Sequence, residues 1–150
     1  ILLFLAARAQ LVEQVIKPAL ADGKIVLCDR FGDSTLAYQG YGHGLDLGTL
    51  RSMLAFATDG LQPDLTLLLD VPVEIVLARK KKDNEWNRLD AYALNFHQRV
   101  RLGYHQLAEE EPGRWRVIDA TQPKDQVQQA MRNAITAALD EKKRNQDPRH

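Results

Sequence analysis

Residues 63–71 read PDLTLLLDV, and the fold is read outward from that run. The stretch 65–71 is short, nearly continuously apolar, and holds an acid, Asp70, near its end. Such a run suits a strand buried on both faces of a parallel sheet. Residues 73–82 follow with helical patterning. A long helix over 89–110 then carries Tyr92, Phe96, Val100, Tyr104 and Leu107 as its apolar stripe. Pro112-Gly113 breaks it, and 115–119 reads as another short strand. A last helix is expected over 125–139, with Val127, Met131, Ala134, Ile135 and Ala138 facing inward. Upstream, 24–29 is a further apolar run closing on an acid, Asp29, with Cys28 as a buried packing thiol. Alternation of this kind predicts an α/β fold, a three-layer parallel sheet with flanking helices. Three strands make a thin sheet, so further strands are expected outside these residues.

The chain opens on ILLFLAARAQLVEQVI, in which Leu5, Ala9, Val12, Ile16 and Ala19 recur at helical spacing. This is an amphipathic core helix to about residue 21, kinked near Pro18. It has no basic leader and is too short and interrupted to span a bilayer, which takes roughly 18 or more apolar residues. Asp33 is a good N-cap for a short helix over 34–39. Gly40, Gly42, Gly44 and Gly48 then suggest a flexible connection before a helix over 49–58. The polar stretch 80–87 is expected to be mobile, and the charged tail 141–150 to be frayed.

The 150 residues are 45% hydrophobic and 27% charged, with 20 basic and 20 acidic side chains. A core is affordable at this size, and bulk charge gives no reason to expect a nucleic-acid or membrane-surface protein. One cysteine excludes an internal disulfide framework and fits a reducing, cytoplasmic compartment. The four histidines show no metal-ligand spacing.

In an open parallel sheet, ligands bind beyond the carboxyl ends of the strands. There the chain places Asp29-Arg30, and a guanidinium fork suits bidentate phosphate recognition. An acid–arginine pair after a strand is equally well a structural salt bridge. Likewise Phe4 reads as core and Arg8 as a solvated or snorkelling cation when each is taken alone.

Taken together the segments become specific. FLAAR (4–8), LCDRF (27–31), DSTLAYQG (33–40), PDLTLLLDV (63–71), RLD (88–90) with FHQRVRLGY (96–104), and VIDATQP (117–123) resemble bacterial thymidylate kinases in order and spacing. The resemblance covers residues 1 to about 140 and implies one nucleoside monophosphate kinase domain of the P-loop type, with a lid over about 80–88. It implies transfer of the ATP γ-phosphoryl group to dTMP, with Mg²⁺, by a homodimer. Phe4 would stack on thymine and Arg8 would bond its O4 edge. Arg30 would hold the dTMP phosphate, and Asp29 would sit near the metal. Ser34, Thr35 and Gln39 would line the base pocket, and Tyr38 would occupy the space of a ribose 2′-OH. Arg79 and the loop of Ala120, Thr121 and Gln122 would lie beside adenine. The lid departs from the family pattern at Lys81, Asn84 and Asn87, which leaves Arg88 as the candidate catalytic cation.

No GxxxxGK run followed by Ser or Thr occurs in the sequence. That motif supplies the backbone cradle, lysine and hydroxyl for the donor phosphates. The resemblance places it upstream, so residues 1–150 alone are expected to be inactive. Two other readings compete: a deoxynucleoside kinase, for which an acceptor-phosphate arginine has little use, and a nucleotide-binding module that has lost its P-loop.

Overall fold

A computed structural model describes residues 1–80 and 88–146, with side chains at 1–76 and 93–144. It divides into two compact units. The first comprises Ile1–Gln62 and Arg88–Leu107, and the second the stretches beginning at Pro63 and at Ala108.

In the first unit, α1 (Leu2–Leu11) runs through a π-helical turn, Val12–Ile16, into α2 (Lys17–Ala21). The wide turn falls just before Pro18. A proline removes one i→i−4 bond and crowds the preceding turn, and here the helix widens rather than breaks. Leu5, Val12 and Ile16 are buried, as the stripe requires. Gly23, at φ 73°, takes the left-handed conformation at the helix exit,.

The strand expected at 24–29 is not formed. A strand is defined by its ladder, and no strand pairs with this segment among the described residues,. Ile25 and Leu27 are accordingly 66% and 84% exposed. Cys28 is exposed as well, so the expected buried thiol is corrected with the strand.

The next helix also differs from expectation. α3 (Gly32–Thr35) starts from Phe31, with no side-chain cap, and passes into a second π-helical stretch, Leu36–Gly42. Asp33 therefore sits inside the first turn, where its charge suits the helix dipole, and not at the cap. The stretch 40–42 is helix rather than loose connection because its glycines serve close packing, Gly40 against Leu47 and Leu50 of the next helix and Gly42 against α6 (Arg88–Glu110). A Cβ on Gly42 would lie 2.6 Å from the Phe96 ring, and one on Gly103 would lie 2.5 Å from the Cγ of Tyr41. The two helices exchange aromatic rings over each other's glycines. Helix propensity alone favours Gly103→Ala by about 1 kcal/mol. The clash falls on the root of the Tyr41 side chain, however, so a net loss of about 1–2 kcal/mol is expected in chemical denaturation. Along α6, Val100 and Leu107 are buried as the stripe anticipates.

α4 (Leu47–Thr58) begins two residues earlier than its apolar pattern suggests because Asp46 caps it. Asp46 Oδ2 accepts the Thr49 N–H at 2.6 Å. That bond holds the Asp46 carboxyl below its ordinary value of 3.8. A depressed carboxylate stabilises the fold above its unfolded pKa, and the contribution is lost as pH falls through the folded value. Asp46→Asn, which keeps a cap without a titrating charge, should therefore flatten the pH dependence of stability below about pH 4. Acid unfolding followed by circular dichroism reads this directly.

In the second unit, β1 (Thr66–Asp70) pairs in parallel with β2 (Trp115–Asp119), in register from Thr66 opposite Trp115 to Asp70 opposite Asp119. Trp115 and Ile118 are buried, whereas Leu69 and Val117 are about half exposed, at 47% and 49%. The expectation of strands buried on both faces is thus corrected: Val117 shares a face with Trp115, and Leu69 lies opposite Ile118 on the other, so each face is covered only in part,. Arg114 fixes the start of the pair, donating to both Glu111 carboxylate oxygens at 3.0 and 3.1 Å and to Thr66 Oγ1 at 2.7 Å. α5 (Val73–Lys80) follows β1, and α7 (Lys124–Gln146) packs on β2. α7 outruns its apolar stripe, so 141–146 are helical and not frayed. Lys142 there pairs with Asp64 at 2.8 Å. No helix among the described residues is long and apolar enough to cross a membrane.

Candidate functional site

The candidate acceptor site lies in the first unit, around the start of the 32–42 helix. Arg30 has φ 63°, left-handed and uncommon for a residue with a side chain,. Its guanidinium carbon stands 4.4 Å from the Tyr38 ring centroid. Cation–π attraction of this kind consumes none of the five N–H donors of an arginine. They stay available for an oxyanion.

Tyr38 is itself held. Two rings of α6 meet it edge-on, Phe96 at 6.0 Å and Tyr104 at 6.4 Å between centroids. The Tyr104 hydroxyl and Ser34 Oγ share a hydrogen bond of 2.8 Å. Burial pushes the Tyr104 hydroxyl above its ordinary pKa, and the Ser34 bond opposes that. One turn on from Tyr38, Arg99 donates from Nε and Nη2 to the Gly42 carbonyl at 3.1 and 2.9 Å, pinning the helix end to α6.

A second arginine faces the same helix. Arg8 Nη1 donates to Thr35 Oγ1 at 2.8 Å, and its guanidinium carbon lies 5.4 Å from the Phe31 ring centroid. Burial lowers the Arg8 pKa, with Cys28 and Asp33 acting in the opposite sense. An arginine stays protonated regardless. The direction marks a guanidinium partly withdrawn from water, where each hydrogen bond it makes counts for more. Phe4 is 67% exposed, so core packing does not account for it. The arrangement offers two guanidiniums and several aromatic faces, which is the chemistry of binding a flat ring that carries an anion.

The structure thus brings Arg8 to Thr35 and groups Arg30, Tyr38 and Ser34. It leaves Phe4 and Asp29 exposed and gives Gln39 a half-buried place on the same helix. Asp29 is a single carboxylate, and no group of three His, Cys, Asp or Glu among the described residues could hold a metal. A lone carboxylate fits Mg²⁺, which keeps waters and substrate phosphates as its other ligands. The side chains of Arg79 and Arg88, and the lid residues 81–87, lie outside the described residues.

In the second unit, Asp119 organises the loop of Ala120, Thr121 and Gln122. Its carboxylate accepts from the Thr121 N–H and hydroxyl at 2.9 and 2.6 Å, and from Gln122 Nε2 at 2.8 Å. These bonds, that of Gln122 foremost, hold the Asp119 carboxyl below its ordinary value. The Ala120 N–H donates to the Asp70 carbonyl at 2.9 Å, so the loop continues the sheet. Asp119, Gln122 and Gln126 border a shallow depression of about 320 Å³ between β2 and α7.

A sequence model of the thymidylate kinases matches residues 1–131. The chain belongs to the thymidylate kinase family. The thymidylate kinase of Desulfovibrio desulfuricans is 55% identical over 152 residues, covering 97% of this chain and 70% of that protein. That of Roseiflexus castenholzii is 54% identical, covering 81% of this chain and 58% of its own length. For Thermomicrobium roseum the values are 54%, 92% and 66%. The chain therefore spans about three fifths to seven tenths of these thymidylate kinases. Membership carries the family's P-loop nucleoside monophosphate kinase fold, of which β1, β2 and their helices are the parallel α/β part here.

Several residues at the candidate site escape a reading of the sequence. Tyr104 looks like one more apolar position in the α6 stripe, and only its hydroxyl tells it apart. Arg99, Phe31 and Asp119 lie inside the motifs that carry the family resemblance, but nothing in their spacing assigns them a partner.

Proposed function

We propose that the full-length gene product transfers the γ-phosphoryl group of ATP to dTMP, giving dTDP and ADP. The observation that carries this is Arg30, held at a left-handed backbone position and over the Tyr38 ring with its N–H donors uncommitted by that contact. In this reading Arg30 binds the acceptor phosphate. Arg8, steadied by Thr35, meets the O4 edge of thymine, and Phe4 covers its face. Ser34, Thr35 and Gln39 line the base pocket, and Tyr38 fills the space a ribose 2′-OH needs. The reaction asks for positioning and charge stabilisation more than for covalent chemistry. Mg²⁺, with Asp29 beside it, would neutralise charge on the donor phosphates.

Arg88 as the lid cation, and Arg79 with the 120–122 loop at adenine, belong to the same proposal. So does a single functional domain over residues 1–140 with 80–88 as its lid. A cytoplasmic homodimer completes it. The dimer is supported by large apolar side chains left on the surface of α1, of the π-turn after it and of α4: Leu3 at 87% exposed, Val15 at 55% and Phe56 at 91%,. Light scattering should give twice the protomer mass, and Phe56→Glu should halve it.

Calorimetry with dTMP and thymidine tests the phosphate role. Thymidine, lacking the phosphate, should bind the full-length protein at least about 100-fold more weakly. Equal affinities would favour a deoxynucleoside kinase, and dTMP binding without ATP turnover would favour a binding module.

A further inference from the structure

At the acceptor site Ser34, placed at the base pocket, shares its hydroxyl with Tyr104, a residue to which the proposed chemistry gives no role. Ser34 and Tyr104 are 70 residues apart in sequence, yet their oxygens meet at 2.8 Å. Ser34 is only 8% exposed. A buried hydroxyl that loses its partner is costly, so such a bond fixes where its two elements sit. Ser34 lies one turn before Tyr38 on the 32–42 helix. Phe96 and Tyr104, two turns apart on α6, both meet Tyr38 edge-on. Tyr38 in turn is the ring beneath the Arg30 guanidinium. The chain of contact runs from Tyr104 through Ser34 and Tyr38 to Arg30.

We infer that Tyr104 is a positioning residue for the acceptor phosphate: through its hydroxyl bond to Ser34 and its edge contact with Tyr38, it holds the ring on which Arg30 rests. The inference builds on the reading of Arg30 as the phosphate ligand. Without the Tyr104 hydroxyl, the helix carrying Ser34 and Tyr38 loses its polar tie to α6 at this point, and Arg30 loses a fixed platform. The aromatic ring itself remains in Tyr104→Phe, so the core around it is preserved.

The test uses the full-length protein. Tyr104→Phe should raise the KM for dTMP by about tenfold, with the KM for ATP within about twofold of wild type. Ser34→Ala, which also removes a group placed at the base pocket, should raise the KM for dTMP at least as much, and adding Tyr104→Phe to it should cost little more, since the shared bond is already gone. In an Arg30→Ala background, Tyr104→Phe should have little further effect, because the group it positions is gone. A merely structural role would add its penalty there too. An unchanged KM for dTMP would overturn the inference, as would a parallel rise for ATP or additive losses with Arg30→Ala. Wild-type protein that does not phosphorylate dTMP, or Arg30→Ala with normal kinetics, would overturn the reading of the site itself and the role of Tyr104 with it.

Discussion

Arg30→Ala in the full-length protein should lower kcat/KM for dTMP by about 10²- to 10³-fold. The size follows from what the side chain offers. A guanidinium bound to a phosphate makes charge-assisted, bidentate bonds, roughly twice as strong as neutral ones. Truncation leaves the phosphate dianion without its counter-charge. Arg30→Lys should recover only part of the loss, because an ammonium keeps the charge and not the fork. The backbone adds a control. Position 30 is left-handed at φ 63°, so Arg30→Gly relaxes the backbone while removing the same group, and should lose activity as Arg30→Ala does. Steady-state kinetics with dTMP varied at saturating ATP separates these variants. A loss of less than about tenfold in Arg30→Ala would place the acceptor phosphate elsewhere.

Leu107→Ala should cost about 2–5 kcal/mol of stability. Leu107 is 1% exposed, among the most deeply buried large side chains described, and it continues the stripe that holds α6 in place. The removed methyl groups lose their burial and leave a cavity that the surrounding helices fill only in part. At roughly 2–4 °C per kcal/mol, the melting temperature should fall by about 4–20 °C. Leu102, on the same helix, is 57% exposed. Leu102→Ala should change stability by no more than about 0.5 kcal/mol. Equal effects of the two would mean that α6 does not bury the face described.

The elements legible in the sequence are those whose apolar pattern their own neighbours satisfy. β2 and the α6 and α7 stripes fall where periodicity puts them, since their partners lie within the described residues. The run 24–29 has the same apolar character but no ladder neighbour, so Ile25 and Leu27 are exposed instead of buried. Periodicity reports what a segment can bury and not what is there to bury it. Asp33 reads as a cap but sits in a first turn, since an acid suits either place and only backbone geometry separates them,. The start of α4 lies ahead of its apolar pattern, at the Asp46 cap. Glycines misled in the same way. Gly42 reads as flexibility, yet it marks a close approach to Phe96.

Of the residues named from the motifs, the structure brings Arg8 to Thr35 and Arg30 to Tyr38, and leaves Phe4 and Asp29 exposed. What spacing could not convey is the tie across sequence. A serine on one helix and a tyrosine 70 residues later are each unremarkable, and their pairing exists only once α6 lies against the 32–42 helix.

The most direct measurement is ADP release by the purified full-length protein from ATP and Mg²⁺, with dTMP, dUMP, dAMP or thymidine as acceptor. Turnover strongest with dTMP is the expected result. Turnover as fast with thymidine, or none with any acceptor, would contradict the account.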